Sequence, residues 1–234
     1  ASFHDESDRV LAGVLRDELE RSAGARVCRL ELWGVASYVN GWQASLTDLA
    51  RVQPVGSDAL RAAAQRRAQS IRHVIDNEIG LLRQGLREGY SSPRVIVHEV
   101  IKQLDELLAT PPAQSPFSAP TERDADPQFR AAYQAVVRDG INPAVRRYRD
   151  FLSQTYLPAA REALGVSANP NGRACYDAVV RQFSTVSMPA DQVYETGWQQ
   201  IRALDQQMRP LAVRLTGTDD LARAMHMVNT EARF

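Results

Sequence analysis

The sequence predicts an all-α protein: a multi-helix array of antiparallel helices with long irregular connections and little or no sheet. Three observations carry this. Leu60, Ala64, Ala68, Ile71, Ile75, Ile79, Leu82 and Leu86 recur at steps of three or four, the signature of one face of a long helix. No alternating apolar–polar run reaches strand length, and the best candidate, residues 26–32, is short. No short-period repeat is present, which disfavours a regular solenoid and leaves packed antiparallel neighbours.

The elements follow in order. Ser7 opens a helical pattern with Val10, Leu11, Val14, Leu15 and Leu19 on one face. The long stripe starts after Ser57, an N-cap residue type, and stops at Gly89, a helix-terminating one. Ser92-Pro93 restarts a helix with proline at the first helical position, and Val97, Val100, Ile101, Leu104, Leu107 and Leu108 form its stripe up to Pro111-Pro112. Residues 110–127 hold five prolines, which forbid a continuous helix and read as a long surface loop. Helical patterns resume at 129–137. A further helix starts near Asn142-Pro143, with Pro158 expected to kink or restart it. Residues 165–172 are turn chemistry. Tyr176, Val179, Val180 and Phe183 mark the next helix. Pro189 opens another, with Tyr194, Trp198, Ile201, Leu204 and Met208 facing one way, and Thr218 caps a last one. The whole, residues 1–234, reads as one helical domain.

Composition narrows the function classes. The 28 basic and 28 acidic residues cancel, so a general nucleic-acid surface is not expected. No run approaches the length of a membrane span. Only Lys102 is a lysine, which fits coding bias, and the arginines are expected to pair with carboxylates such as Asp17, Glu18 and Glu20. Cys28 and Cys175 are too few for a disulfide scaffold; two separate buried thiols are expected, with a single bridge as the alternative. The chain begins without Met and shows no signal-peptide pattern, so either a leader was removed or the sequence starts inside a longer protein.

Catalytic signals are sparse. His98-Glu99 lies on a helix, but the second histidine of a His-Glu-x-x-His zinc motif is replaced by Lys102, which cannot ligate while protonated. His4, His73 and His226 are isolated. No nucleophile elbow, P-loop or dinucleotide fingerprint occurs. No catalytic residue and no metal ligand is therefore assigned, and the chain alone is expected to bind no zinc tightly and hydrolyse nothing. Residues 32–43 combine Trp33, Tyr38 and Trp42 with glycine and asparagine, a composition that lines a pocket or plugs the ends of helix pairs. The Asn169-Pro170-Asn171-Gly172 turn admits the same two roles, ligand contact or simple connection.

An ordered set of segments carries a resemblance. It comprises Leu32-Trp33 through Gly41-Trp42-Gln43-Ala44-Ser45, Gln53-Pro54-Val55-Gly56, Gly89-Tyr90-Ser91-Ser92-Pro93-Arg94-Val95 and Ser115-Pro116-Phe117. It continues through Ile141-Asn142-Pro143-Ala144, Tyr156-Leu157-Pro158-Ala159-Ala160-Arg161, the stretch from Gly165 to Gly172, Cys175-Tyr176 and Phe183-Ser184-Thr185. Across about residues 30–205 the sequence resembles the bacterial family catalogued as domain of unknown function 885, whose members are often labelled lipoproteins.

The resemblance implies a larger, mostly helical protein similar in layout to neurolysin-type zinc peptidases, with a His-Glu-x-x-Pro-Gly-His-His motif in a downstream half. This sequence has no such string, so it is expected to be an upstream, cleft-forming piece whose partner is that missing half. Zinc is implied for the full-length relative and no cofactor for this chain. By the same analogy Trp42, Gln43, Asn169 and Tyr176 are the candidate substrate-binding residues, peptides are the substrate class with other amides or esters as the alternative, and a cell-envelope or periplasmic location follows from the export signals of relatives. The alternative is a non-enzymatic helical scaffold or interaction module.

Overall fold

The structure is a computed structural model, and it describes residues 5–35 and 41–231. Tyr38 and His4 lie outside the described residues. The helices are α1 (Glu6–Ala25), α2 (Trp42–Val52), α3 (Asp58–Arg87), α4 (Arg94–Ala109), α5 (Ala119–Glu122), α6 (Pro127–Val136), α7 (Asn142–Phe151), α8 (Leu157–Ala159), α9 (Gly172–Ser184), α10 (Ala190–Thr216) and α11 (Leu221–Thr230). The protein is all-α; among the described residues the only strand-like pairing is an isolated bridge between Pro93 and Arg161. Residues 26–32, the candidate strand, form two short 3₁₀ turns. Chain contacts divide the molecule into a central unit, residues 26–175, and a terminal unit, residues 1–25 and 176–234.

The central unit is built on α3. The Ser57 hydroxyl accepts from the Leu60 amide at its N-terminus, and Gly89, at φ +82°, follows its last turn. Its stripe buries Ala64, Ala68, Ile71, Ile75 and Leu82 against α6, α7 and the 3₁₀ turn at residues 30–32. From α4 come Val97, Val100 and Leu104; from α7, Ala144, Val145 and Tyr148. Pro93 caps α4 rather than occupying its first turn.

The stretch from α6 to α8 corrects an expectation. Pro143 and Pro158 do not interrupt it. Each follows a π turn, Val137–Ile141 and Leu152–Tyr156, and helical backbone runs continuously from 127 to 159. A proline lacks the N–H for its i−4 carbonyl and crowds that oxygen. Here the i−4 residues, Asp139 and Gln154, lie inside the widened turns, where the ladder is already displaced. The same widening suits the buried spacing. Phe129, Tyr133, Val137, Ile141 and Val145 recur at steps of four, longer than an α-turn, and would drift off one face of a straight α-helix.

Residues 110–127 are not a plain surface loop either. No continuous helix crosses their prolines, as expected, but two 3₁₀ turns and α5 fold inward, burying Phe117, Pro120 and Thr121. Asp124 fixes the segment. Its carboxylate accepts from Arg61 Nε at 2.8 Å and Nη2 at 2.9 Å, and from the Gly56 and Asp126 amides at 2.9 Å. The Arg61 guanidinium and then the Asp126 amide hold this carboxyl down to about 2.

Cys28 and Cys175 form a disulfide, so the expectation of two free thiols is overturned. The 3₁₀ turn ending at Cys28 and the start of α9 bring the two together; proximity across 147 positions is a tertiary fact that spacing alone does not reveal.

In the terminal unit, Arg21 on α1 bonds Asp17 and Glu18 and donates to the Gln182 carbonyl of α9. α10 ends at Gly217, φ +78°, and turns into α11. The N-cap of α11 is Asp220, whose carboxylate accepts from the Arg223 amide, whereas Thr218 closes the preceding turn by accepting from the Asp220 amide. Ala212 and Ala224 are buried where α10 meets α11. α1 buries nothing: Val10, Leu11, Val14, Leu15 and Leu19 are 55–69% exposed. Tyr194, Trp198, Ile201 and Leu204 on α10 are exposed too.

Candidate functional site

Trp42 and Gln43 open α2 as consecutive residues, so helical geometry sends their side chains about a quarter-turn apart. They border different cavities. Trp42 packs edge-on against Tyr148 of α7, ring centroids 5.5 Å apart and planes at 82°. Beside this pair a cavity of about 280 Å³ is lined by Glu31, Gly34, Gly41 and Glu78 together with the two rings. The Trp42 Nε1–H is buried, has no acceptor in full hydrogen-bond geometry, and acts on the Tyr148 hydroxyl, drawing that phenol down against the effect of burial.

Glu78 stands on α3 at the edge of the buried stripe, half-buried, with no ion pair or hydrogen bond among the described residues. Burial raises its pKa. Burial also pushes the Tyr148 phenol well above its usual range, and the Glu78 carboxylate adds to that push. The site is a carboxyl group, an aromatic pair and an N–H donor short of a full hydrogen bond around one opening. It can hold a cationic or hydrogen-bond-accepting group.

Gln43 is buried and borders a second cavity, about 190 Å³, with Thr47, Gln103, Glu106 and Thr110, where Gln103 Oε1 has no partner. Asn169 is buried in a polar hub elsewhere in the central unit. Its Oδ1 accepts from the Ser91 amide at 3.1 Å, and its Nδ2 has no partner. Around it the Ser92 amide donates to Tyr156 Oη at 2.9 Å, Ser92 Oγ donates to the Trp33 carbonyl, and Arg161 Nε donates to the Ser91 carbonyl at 2.8 Å. Trp33 Nε1 donates to the Cys28 carbonyl at 2.8 Å, with the Arg161 guanidinium 5.8 Å from its ring centroid. Burial lowers the Arg161 pKa, and Tyr156 opposes the shift.

Tyr176 is 48% exposed and belongs to the terminal unit. Of the four candidates, then, Trp42 lines the polar cavity, Gln43 a different one, and Asn169 joins irregular segments. Glu78 and Tyr148 were not singled out from the sequence as site residues. Glu78 carried a signal: Ile71, Ile75, Glu78 and Leu82 keep the 4–3–4 spacing of a buried face, so a carboxylate occupies an apolar register position.

Zinc does not fit the described residues. His98, Glu99 and Lys102 are all exposed on α4, His73 and His226 are exposed on other helices, and both cysteines are oxidised. Among the described residues no three His, Cys, Asp or Glu side chains converge as a metal would require.

These features define an all-α protein with a disulfide-linked central unit and a polar cavity at Glu78 of its long helix α3. The family model described as "Bacterial protein of unknown function (DUF885)" matches residues 1–234, and the chain belongs to that family. Its fold is similar to that in "The crystal structure of the putative lipoprotein from Colwellia psychrerythraea", with TM-score 0.75 at 18% identity over 83% of this chain. The chain spans 35% of that structure's length. No curated protein matches it. A disulfide between buried cysteines points to an oxidising, extracytoplasmic compartment, and no described helix is long and apolar enough to cross a membrane.

Proposed function

We propose that this chain is the helical, cleft-forming part of a peptidase-like hydrolase of the bacterial envelope, completed by a further part of the same protein that carries the metal motif. The observation that carries this is the uncovered apolar surface of the terminal unit. α1 and α10 have amphipathic stripes, but Val14, Leu19, Trp198 and Leu204 remain exposed, as faces that belong against more protein do. The neurolysin-like layout that the family resemblance implies supports peptides as the substrate class. Trp42, beside the polar cavity, is the residue of this chain proposed to meet them. The disulfide and the lipoprotein description of the similar structure support the envelope location.

The test compares this chain with the polypeptide encoded by its natural reading frame extended beyond Phe234. Zinc content is measured after dialysis, and hydrolysis is followed with a mixed peptide pool. The proposal expects stoichiometric zinc and turnover in the extended protein and neither in the 234-residue chain. An extended protein with neither would favour a non-enzymatic scaffold. Turnover by the 234-residue chain alone would refute the division of labour.

A further inference from the structure

We infer that the cavity between Trp42, Glu78 and Tyr148 binds a protonated primary amine standing next to a hydrogen-bond acceptor, the chemistry of a peptide's free amino terminus. That the bound molecule is a substrate rests on the hydrolase reading above; that the cavity takes such a group does not.

Three features point to this ligand. Glu78 occupies a core-register position on α3 and is half-buried, yet no arginine, lysine or histidine among the described residues pairs with it. A partly desolvated carboxylate without a cation is a costly arrangement. Elsewhere in this unit arginines reach their carboxylates, as in Arg61–Asp124, Arg147–Asp76 and Arg149–Asp105. Second, the buried Trp42 Nε1–H meets the Tyr148 hydroxyl only outside full hydrogen-bond geometry, although buried donors are as a rule satisfied. Third, the carboxylate shares the cavity lining with the Trp42 and Tyr148 rings, aromatic groups of the kind that attract a cation.

Other ligand classes fit less well. An anion would meet both Glu78 and Glu31 in the cavity lining. A divalent metal needs more oxygen ligands than Glu78 and the Arg29-paired Glu31 supply, and the indole N–H would face it. An ammonium with a neighbouring carbonyl satisfies both open groups, the carboxylate through its N–H donors and the indole through its oxygen. The volume of about 280 Å³ suits one terminal residue, not a folded partner.

Titration calorimetry of the 234-residue chain at neutral pH provides the test, with alanyl-alanine amide and its N-acetyl derivative as probes. The free amine is expected to bind, and the acetylated form to bind at least about 10-fold more weakly, the loss of one charge-assisted contact. Glu78→Gln is expected to weaken the free amine by about 10-fold or more. Trp42→Phe keeps an aromatic ring, though a smaller one, removes the N–H and is expected to weaken it by roughly 3- to 10-fold. Helical circular dichroism checks the fold of each variant. Should Glu78→Gln misfold, the Trp42 indole N–H resonance of the wild-type chain gives a second readout: it should shift with the free amine and not with the acetylated form. Equal binding of the two probes, no binding of either, or unchanged binding by Glu78→Gln overturns the inference. Amine binding with no hydrolysis by the extended protein would leave this site standing and remove the hydrolase reading. Hydrolysis without amine preference would do the reverse.

Discussion

Replacing Cys28 and Cys175 together by alanine should lower the stability of the central unit by about 5 kcal/mol. The bridge joins residues 147 positions apart, close to both ends of the unit. Constraining a loop that long removes roughly 17 cal/mol/K from the unfolded chain in the loop-entropy treatment, or about 5 kcal/mol at 298 K. Alanine is the appropriate replacement, since both cysteines are buried and a serine hydroxyl would add an unmet polar group. Urea unfolding followed by far-ultraviolet circular dichroism measures the effect in the oxidised wild type and the double variant. If the bridge acts mainly on the unfolded state, helicity before the transition is unchanged, the midpoint falls, and the denaturant slope rises because the uncrosslinked chain exposes more surface. Reducing the wild type should bring it to the variant's curve. A stability change below about 1 kcal/mol would refute the entropic argument. Loss of helicity before unfolding would instead mean that the bridge holds native geometry.

Three further outcomes follow from particular contacts. Asp124→Asn should lower thermal stability near neutral pH and flatten its acid dependence. The folded-state pKa of Asp124, about 2, lies below the unfolded value, so its contribution is present above about pH 4 and is lost as pH falls towards 2; melting curves between pH 2 and 6 check this. Gly85→Ala and Gly80→Ala should have opposite signs in chemical unfolding. A Cβ at Gly85 would overlap the Leu32 carbonyl oxygen and cost about 1–3 kcal/mol, whereas Gly80 meets nothing nearby and should gain up to about 1 kcal/mol from helix propensity. Tyr156→Phe, measured in the same way, should cost about 1–3 kcal/mol, because the buried Ser92 amide loses its acceptor.

Helix type and position were legible because apolar spacing reports them locally. The α3 stripe, the Ser57 cap and the Pro189 start of α10 all stand where the pattern puts them. Legibility ended where tertiary structure overrides a local rule. Pro143 and Pro158 read as breaks, but π turns absorb them. Prolines at 111–127 excluded a long helix, yet Asp124, which fixes the segment, is held by Arg61 and Gly56, more than sixty positions away. The disulfide is of the same kind. At the site, Trp42 stood out by composition. Glu78 was hidden in plain periodicity, since a stripe is read by its apolar members and the polar intruder in the same register passes unremarked. Tyr148 looked like any core aromatic, and only its neighbours distinguish it.

The polar hub explains how such a cavity keeps its shape. Segments 29–35, 89–93 and 160–172 are largely irregular, so their buried amides and carbonyls need side-chain partners in place of a ladder. Asn169 and Tyr156 take the Ser91 and Ser92 amides, Arg161 takes the Ser91 carbonyl, Ser92 takes the Trp33 carbonyl, and Trp33 takes that of Cys28. Trp33 immediately precedes Gly34, which lines the cavity, and Leu32 lies against Gly85 on the helix that carries Glu78. The backbone wall opposite Glu78 is thus fixed by the same bonds that join the irregular segments. Backbone held in this way beside an unpaired carboxylate is the kind of pre-organisation that the proposed binding of an amine calls for.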